Sequence, residues 1–246
     1  LGVGWDLPIG FIALNSTAKF ELVDANGNHE LVSTDANGNY SYKIVQEYLR
    51  IKKIGTYWEV TDTKGVKYFY GSTTRKADAQ NNTVKWHLDK IMDPFGNYIR
   101  YNYSNTDNQI SLLSIEYTAN DGAGLSPQYL ISFTSNTRTD NAISYRYGAP
   151  EKLSRRLESI SITSGTTAIR SYSLTYQPSP YRVSVLKSVD EVASNGTSLP
   201  VASFGYTQIG NSFLPLGDTF SIGDGTKTDS YFVADVNGDG KSDIIT

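Results

Sequence analysis

Four Asp-x-x-Gly quartets constrain this chain more than any other feature: Asp24-Ala25-Asn26-Gly27, Asp35-Ala36-Asn37-Gly38, Asp62-Thr63-Lys64-Gly65 and Asp93-Pro94-Phe95-Gly96. An aspartate that opens a turn accepts hydrogen bonds from backbone N–H groups just ahead of it. A glycine in fourth place takes the left-handed backbone that closes a bulged hairpin. The flanks are strand-like. Tyr57-Trp58-Glu59-Val60-Thr61 enters the third quartet and Val66-Lys67-Tyr68-Phe69-Tyr70 leaves it; Trp86 to Met92 enters the fourth and Tyr98 to Tyr103 leaves it. Side chains there alternate with period two. The quartets are unevenly spaced, so they predict a series of hairpins and not a strict solenoid. Gly27, Gly38, Gly65 and Gly96 are expected at positive φ.

The remainder reads similarly. Leu157, Ile160 and Ile162 run into a Ser164-Gly165 turn, Tyr172, Leu174 and Tyr176 return, Pro178 and Pro180 end that strand, and Asn195-Gly196 marks a further turn. Ala149 to Ile160 is the one stretch with some helical character, and a helical turn is expected around Lys152–Arg156. Eighteen tyrosines suit half-buried strands and 21 glycines suit turns. The fold class is therefore all-β, an antiparallel hairpin-rich sheet. Three segments are expected: an antiparallel β domain over 1–208, a glycine-rich linker over 209–228, and a short strand with an acidic loop over 229–246. Beginning at Leu1, the chain is expected to be a piece of a longer polypeptide.

Composition removes several functions. With no cysteine there is no disulfide, thiolate metal site or cysteine nucleophile. A net charge of −3 without a basic block argues against nucleic acid as a partner. The longest nearly apolar run, Leu7 to Leu14, is broken by Pro8 and Gly10 and is too short to span a bilayer as a helix, so this segment is not expected to insert directly into a membrane.

One motif carries specific chemistry: Asp235-Val236-Asn237-Gly238-Asp239-Gly240-Lys241-Ser242-Asp243. Asp235, Asn237, Asp239 and Asp243 can converge their side-chain oxygens on one hard cation, with the Lys241 carbonyl as a further ligand and Gly240 permitting the bend. Ca²⁺ is the cofactor this pattern implies. The closing glutamate of a helix-flanked calcium loop is absent, Thr246 standing in its place, and the flanks Tyr231–Ala234 and Ile244-Ile245 read as strands. The alternative is a solvated Asp/Asn/Gly turn.

Three stretches, in order, resemble one family. Leu1-Gly2-Val3-Gly4-Trp5-Asp6-Leu7-Pro8 is similar to the glycine-tryptophan opening of the SpvB-like N-terminal region, found in the Salmonella virulence plasmid B protein and in the B component of insecticidal Tc toxin complexes. Arg156–Ile160, Tyr172–Tyr176 and Leu186–Val189 resemble the hairpins late in that region. Phe232 to Asp243 resembles the FG-GAP or VCBS repeat that follows it and builds propeller blades. The quartets also resemble Rhs or YD repeats in degenerate form, since Val23, Thr34, Thr61 and Met92 stand where such a repeat carries tyrosine. The resemblance implies a secreted or cell-surface toxin-delivery protein. This segment would contribute to a cargo-enclosing β shell, with other parts of the same polypeptide and toxin-complex components as partners.

An enzyme is not expected. His29 and His87 are the only histidines, and His87, beside Trp86, reads as a sheet residue. Aspartates and glutamates sit mostly in turns, where capping accounts for them. The rival is a surface adhesin or carbohydrate-binding module with Trp5, Trp58 and Trp86 as a sugar platform; a core aromatic ladder explains the same residues. Arg155-Arg156 is expected to be solvated or paired with Glu151 or Glu158.

Overall fold

The computed structural model describes residues 2, 4–45, 47–106, 109–145, 149–179 and 183–206, and the backbone of 232–234 and 243–245. The chain divides into two compact units, Leu1–Tyr206 and Thr207–Thr246. The described residues of the first form one antiparallel sheet whose strand order follows the sequence. Its strands are β1 Phe11–Leu14, β2 Phe20–Asp24, β3 Gly27–Ser33, β4 Asn39–Tyr42, β5 Arg50–Ile54, β6 Tyr57–Thr61, β7 Lys67–Ala77, β8 Thr83–Met92, β9 Asn97–Thr106, β10 Gln109–Asn120, β11 Tyr129–Ser144, β12 Glu151–Ser164, β13 Thr167–Pro178, β14 Ser184–Ala193 and β15 Ala202–Ser203.

The meander closes on itself once. β1 pairs β2 along one edge and β8 along the other, so β1 to β8 form a barrel. β8 is the branch point. Lys85, Trp86 and His87 face β1, while Lys90, Ile91 and Met92, further along the same edge, face β9. The Leu88 N–H donates to the Gly10 carbonyl where one partner gives way to the other. Beyond β8 the sheet runs open from β9 to β15.

Alternation fills the barrel. Ile12, Leu22, Leu31, Tyr42, Ile51, Trp58, Val60, Tyr70, Trp86 and Leu88 form its core, with every strand contributing. Several are direct cross-strand partners, among them Ile12 with Leu22 and Trp86, and Trp58 with Tyr70. A barrel of this strand number is just wide enough for side chains to occupy its interior. A second, smaller cluster of Leu157, Leu174 and Leu186 lies under the open sheet.

The turns behave as the quartets require. Gly27, Gly38, Gly65 and Gly96 all have positive φ, from 81° to 128°. Asp93 shows the bonding in full: its carboxylate accepts from the backbone of Phe95 and Asn97 and from the Asn97 side chain. Those bonds hold the Asp93 carboxyl below its ordinary range, the Asn97 side-chain bond being the largest cause. Gly96→Val is expected to cost about 1–2 kcal/mol in a urea melt, because a β-branched side chain is strained at a φ of +86°. Two further turns of this design were hidden by other residues in the glycine position. Asp78 caps a turn closed by Asn81 and Asn15 one closed by Ala18, with φ of 65° and 57°.

Two expectations are corrected. Lys152–Arg156 forms no helical turn; it lies inside β12 and pairs with β11 across a register shift, Lys152 and Leu153 with Ile143 and Ala142, Arg155 and Arg156 with Thr137 and Asn136. Cross-strand pairing with Asn136, Thr137, Ala142 and Ile143 outweighs the weak local helical preference. Nor do Arg155 and Arg156 pair with Glu151 or Glu158. Arg155 donates to the Ser135 carbonyl, and Arg156 lies over the Tyr176 ring and donates to Ser184. Glu151 is instead taken by Lys85 at 2.8 Å, and Glu158 by Asn136 at 2.6 Å.

Candidate functional site

Of the acidic motif, Asp235, Asn237, Asp239 and Lys241 lie outside the described residues, as does the 209–228 linker. The flanking strands are described: β16 Phe232–Ala234 pairs antiparallel with β17 Asp243–Ile245, Ala234 standing opposite Asp243. Asp243 thus heads the return strand of a hairpin whose connection carries the other four residues. Three carboxylates, an amide oxygen and a backbone carbonyl are hard donors, and that set fits Ca²⁺ or a similar hard cation.

The barrel ends differ. At one, Phe20, Tyr40, Trp58 and Trp86 meet edge to face with ring centroids 4.8–6.0 Å apart. The Lys53 ammonium sits 4.8 Å from the Phe20 centroid and within reach of both tryptophans. The Trp86 indole donates to the Thr56 carbonyl at 2.9 Å. Trp58 and Trp86 are buried, at 0% and 3% exposure, so they belong to the core and offer no sugar platform.

The other end is open. A cavity of about 620 Å³ enters the barrel there, walled by Leu22, Val60, Leu88 and Ile91, with Tyr68, Tyr70 and Tyr101 around it. Asp24, Glu47 and Asp62 lie at its mouth, on the β2–β3 turn, the β4–β5 connection and the β6–β7 turn. Burial, then the charges of Asp62 and Glu47, push the Tyr68 phenol up; burial, then Asp24, does the same to Tyr70. Ile44, Val45, Tyr48 and Phe95 stand exposed on connections at this same end. The sequence showed the tyrosines on common strand faces, but their convergence depends on β1 closing against β8.

An N-terminal strap spans the fold before β1 begins. Gly2 lies so close to β14 that a Cβ would sit 2.8 Å from the Ser184 carbonyl oxygen. Trp5 packs edge-on against Phe204 at 4.6 Å and its indole donates to the Tyr206 hydroxyl, which donates to the Leu186 carbonyl. Leu7, Pro8 and Ile9 then wall the cavity. The glycine-tryptophan opening is thus a stitch from the open sheet to the barrel.

The family model described as Salmonella virulence plasmid 65kDa B protein matches residues 23–159, more than half of the chain and from the end of β2 to within β12. The chain belongs to the SpvB family. Solved structures share the fold. The N-terminal domain of effector protein SpvB from Salmonella typhimurium strain LT2 aligns at TM-score 0.65 and 16% identity, covering 78% of this chain and 89% of that one. TcdB2-TccC3 aligns at TM-score 0.67 and 16% identity over 84% of this chain, and the Photorhabdus luminescens Tc holotoxin pore at 0.64 and 15% over 83%. The SpvB-family chain spans only 15% and 14% of the lengths of those two. No curated protein sequence matches.

Proposed function

We propose that this chain is a non-catalytic structural and assembly module of a secreted toxin-delivery protein, contributing to a β shell that encloses cargo and to the docking of toxin-complex components. The observation that carries the reading is the branch at β8. One sheet closes into a rigid barrel and then runs on as an open wall, and β15 has no partner on its outer edge among the described residues. Such an edge is a place for more of the same sheet to be added. The fold shared with part of TcdB2-TccC3 supports a position within a larger polypeptide. Deleting 1–206 from the parent polypeptide is expected to leave its C-terminal part open to added protease, whereas the intact parent protects it. Equal protection in both would refute the shell role. Binding on a glycan array, or turnover of a glycan, ester or peptide abolished by one substitution in a cleft, would instead support the adhesin or an enzyme.

The acidic hairpin completes the proposal. Asp235, Asn237, Asp239, the Lys241 carbonyl and Asp243 would hold Ca²⁺, relieving repulsion between the carboxylates and fixing the connection between β16 and β17. Calorimetry is expected to give weak or no calcium heat for this chain and clear heat for a version extended through the following repeats, lost in Asp239→Ala. An extended chain without calcium heat, or an alanine variant that binds equally, would make the loop a turn only.

A further inference from the structure

We propose that the open end of the barrel is a binding site for a small lipophilic cation, an apolar stem carrying one positive charge. The cavity of about 620 Å³ falls within the range of roughly 300–1,000 Å³ typical of small-molecule sites. Its walls, Leu22, Val60, Leu88 and Ile91, suit an apolar stem. At depth lies Tyr70, a cavity-lining residue only 5% exposed, whose hydroxyl makes no hydrogen bond to a described residue. That hydroxyl lines the cavity, and a ligand or a water that enters can hydrogen-bond it.

The mouth sets the charge. Asp24, Glu47 and Asp62 line it; among the described residues no lysine, arginine or histidine does, and the nearest, His29, has its Nε2 3.7 Å from the Asp24 carboxylate. Asp24 and Asp62 are held by turn hydrogen bonds, Asp24 from the Asn26 N–H and Asp62 from the Lys64 and Val66 N–H groups. Their charges therefore stay at the rim. The tyrosine faces of Tyr68 and Tyr101 offer a further attraction that only a cation gains. An anion of the same shape meets three carboxylates, and a neutral molecule keeps only the apolar contact. Barrels of this size commonly hold one small ligand where side chains leave room. Here one end is sealed by Phe20, Trp58 and Trp86 under Lys53, and the other is left open.

The test is calorimetric titration of the full 246-residue chain with octyltrimethylammonium, 1-octanol and octanoate, each below its aggregation threshold. The cation is expected to bind about tenfold or more tightly than the alcohol, and octanoate not measurably, with the preference shrinking as salt is raised. Leu49, on the β4–β5 connection, also lines the cavity, and Leu49→Trp, which fills the mouth, is expected to abolish binding of all three. Glu47→Gln, on an exposed connection, is expected to weaken the cation about threefold and leave the alcohol unchanged. It decides the matter if the tryptophan variant does not fold. Absence of cation binding, equal affinity for cation and alcohol, or a Glu47→Gln variant with undiminished preference would overturn the proposal.

Discussion

Gly71→Ala is expected to cost on the order of 4 kcal/mol or to prevent folding outright. Gly71 sits in a bulge of β7 where the register against β8 jumps from Tyr70–Leu88 to Arg75–Trp86. Its φ is +70°, and a Cβ there would fall 2.2 Å from Trp86 Cδ1 and 2.8 Å from Cγ. Trp86 has nowhere to retreat, since its ring meets Phe20 and Trp58 and its indole is bonded to Thr56. The bulge backbone is also fixed. The Asp89 carboxylate, 2% exposed, accepts from Ser72 Oγ, from Thr73 N and Oγ1, and from Thr74 N at 2.6–3.1 Å. Neither side of the clash can yield without breaking bonds to buried groups. Gly124→Ala is the control. Its φ is +65° with nothing within 4 Å of the added carbon, so it isolates backbone strain and is expected to cost about 1 kcal/mol. Chemical denaturation of both variants reads the difference; equal, small losses would mean that Trp86 does not pack against Gly71.

Acid is expected to destabilise the barrel by roughly 2–3 kcal/mol between about pH 6.5 and about pH 4.5 through His87 alone. His87 is 8% exposed in β8, beside the Tyr103 ring at 5.0 Å. Burial, then the positive charges of Lys85 and Lys76, lowers its pKa from 6.5 to about 3. The unfolded chain takes up a proton as pH falls through about 6.5, while the folded chain declines it until about 3. The neutral imidazole's contribution is thus fully present above the unfolded value and lost progressively as pH drops towards the folded one. Denaturation series across that window should show a stability slope about one proton shallower in His87→Gln than in the parent. Identical slopes would mean that His87 is protonated, or exposed, in the folded barrel.

Legibility in the sequence followed the range of the interactions. Turns were readable because their chemistry is local: an aspartate and a glycine three residues later contain both the hydrogen-bond acceptor and the left-handed backbone. The same geometry at Asn15–Ala18 and Asp78–Asn81 lacks the glycine: alanine disfavours positive φ, and asparagine tolerates it but signals it less strongly than glycine. The helical turn expected at Lys152–Arg156 failed for the opposite reason, since partners on β11 decide that segment. Closure of β1 on β8 has no local signature at all, and the cavity mouth inherits that silence: Asp24, Glu47 and Asp62 come from three separate connections. The acidic hairpin was the reverse case, conspicuous in sequence while most of its residues lie outside the described structure.

The strap has a consequence for the order in which the chain can assemble during synthesis. Trp5 and Tyr206 are separated by 201 positions. Hairpins from β2 to β7 need only neighbours and can form as they emerge, whereas contacts between distant positions form late because a long loop must first be closed. Within this segment, Gly2 and Trp5 emerge before β1 and are therefore among the last to find their partners. Until β14 and the residues around Phe204 exist, the indole of Trp5 stays in water and Gly2 has no backbone to lie against. The finished wall leaves the Trp5 ring partly in water, at 40% exposure, but fixes it between Phe204 and the Tyr206 hydroxyl, so an interrupted sheet differs from a complete one in the freedom of its first aromatic rather than in its burial.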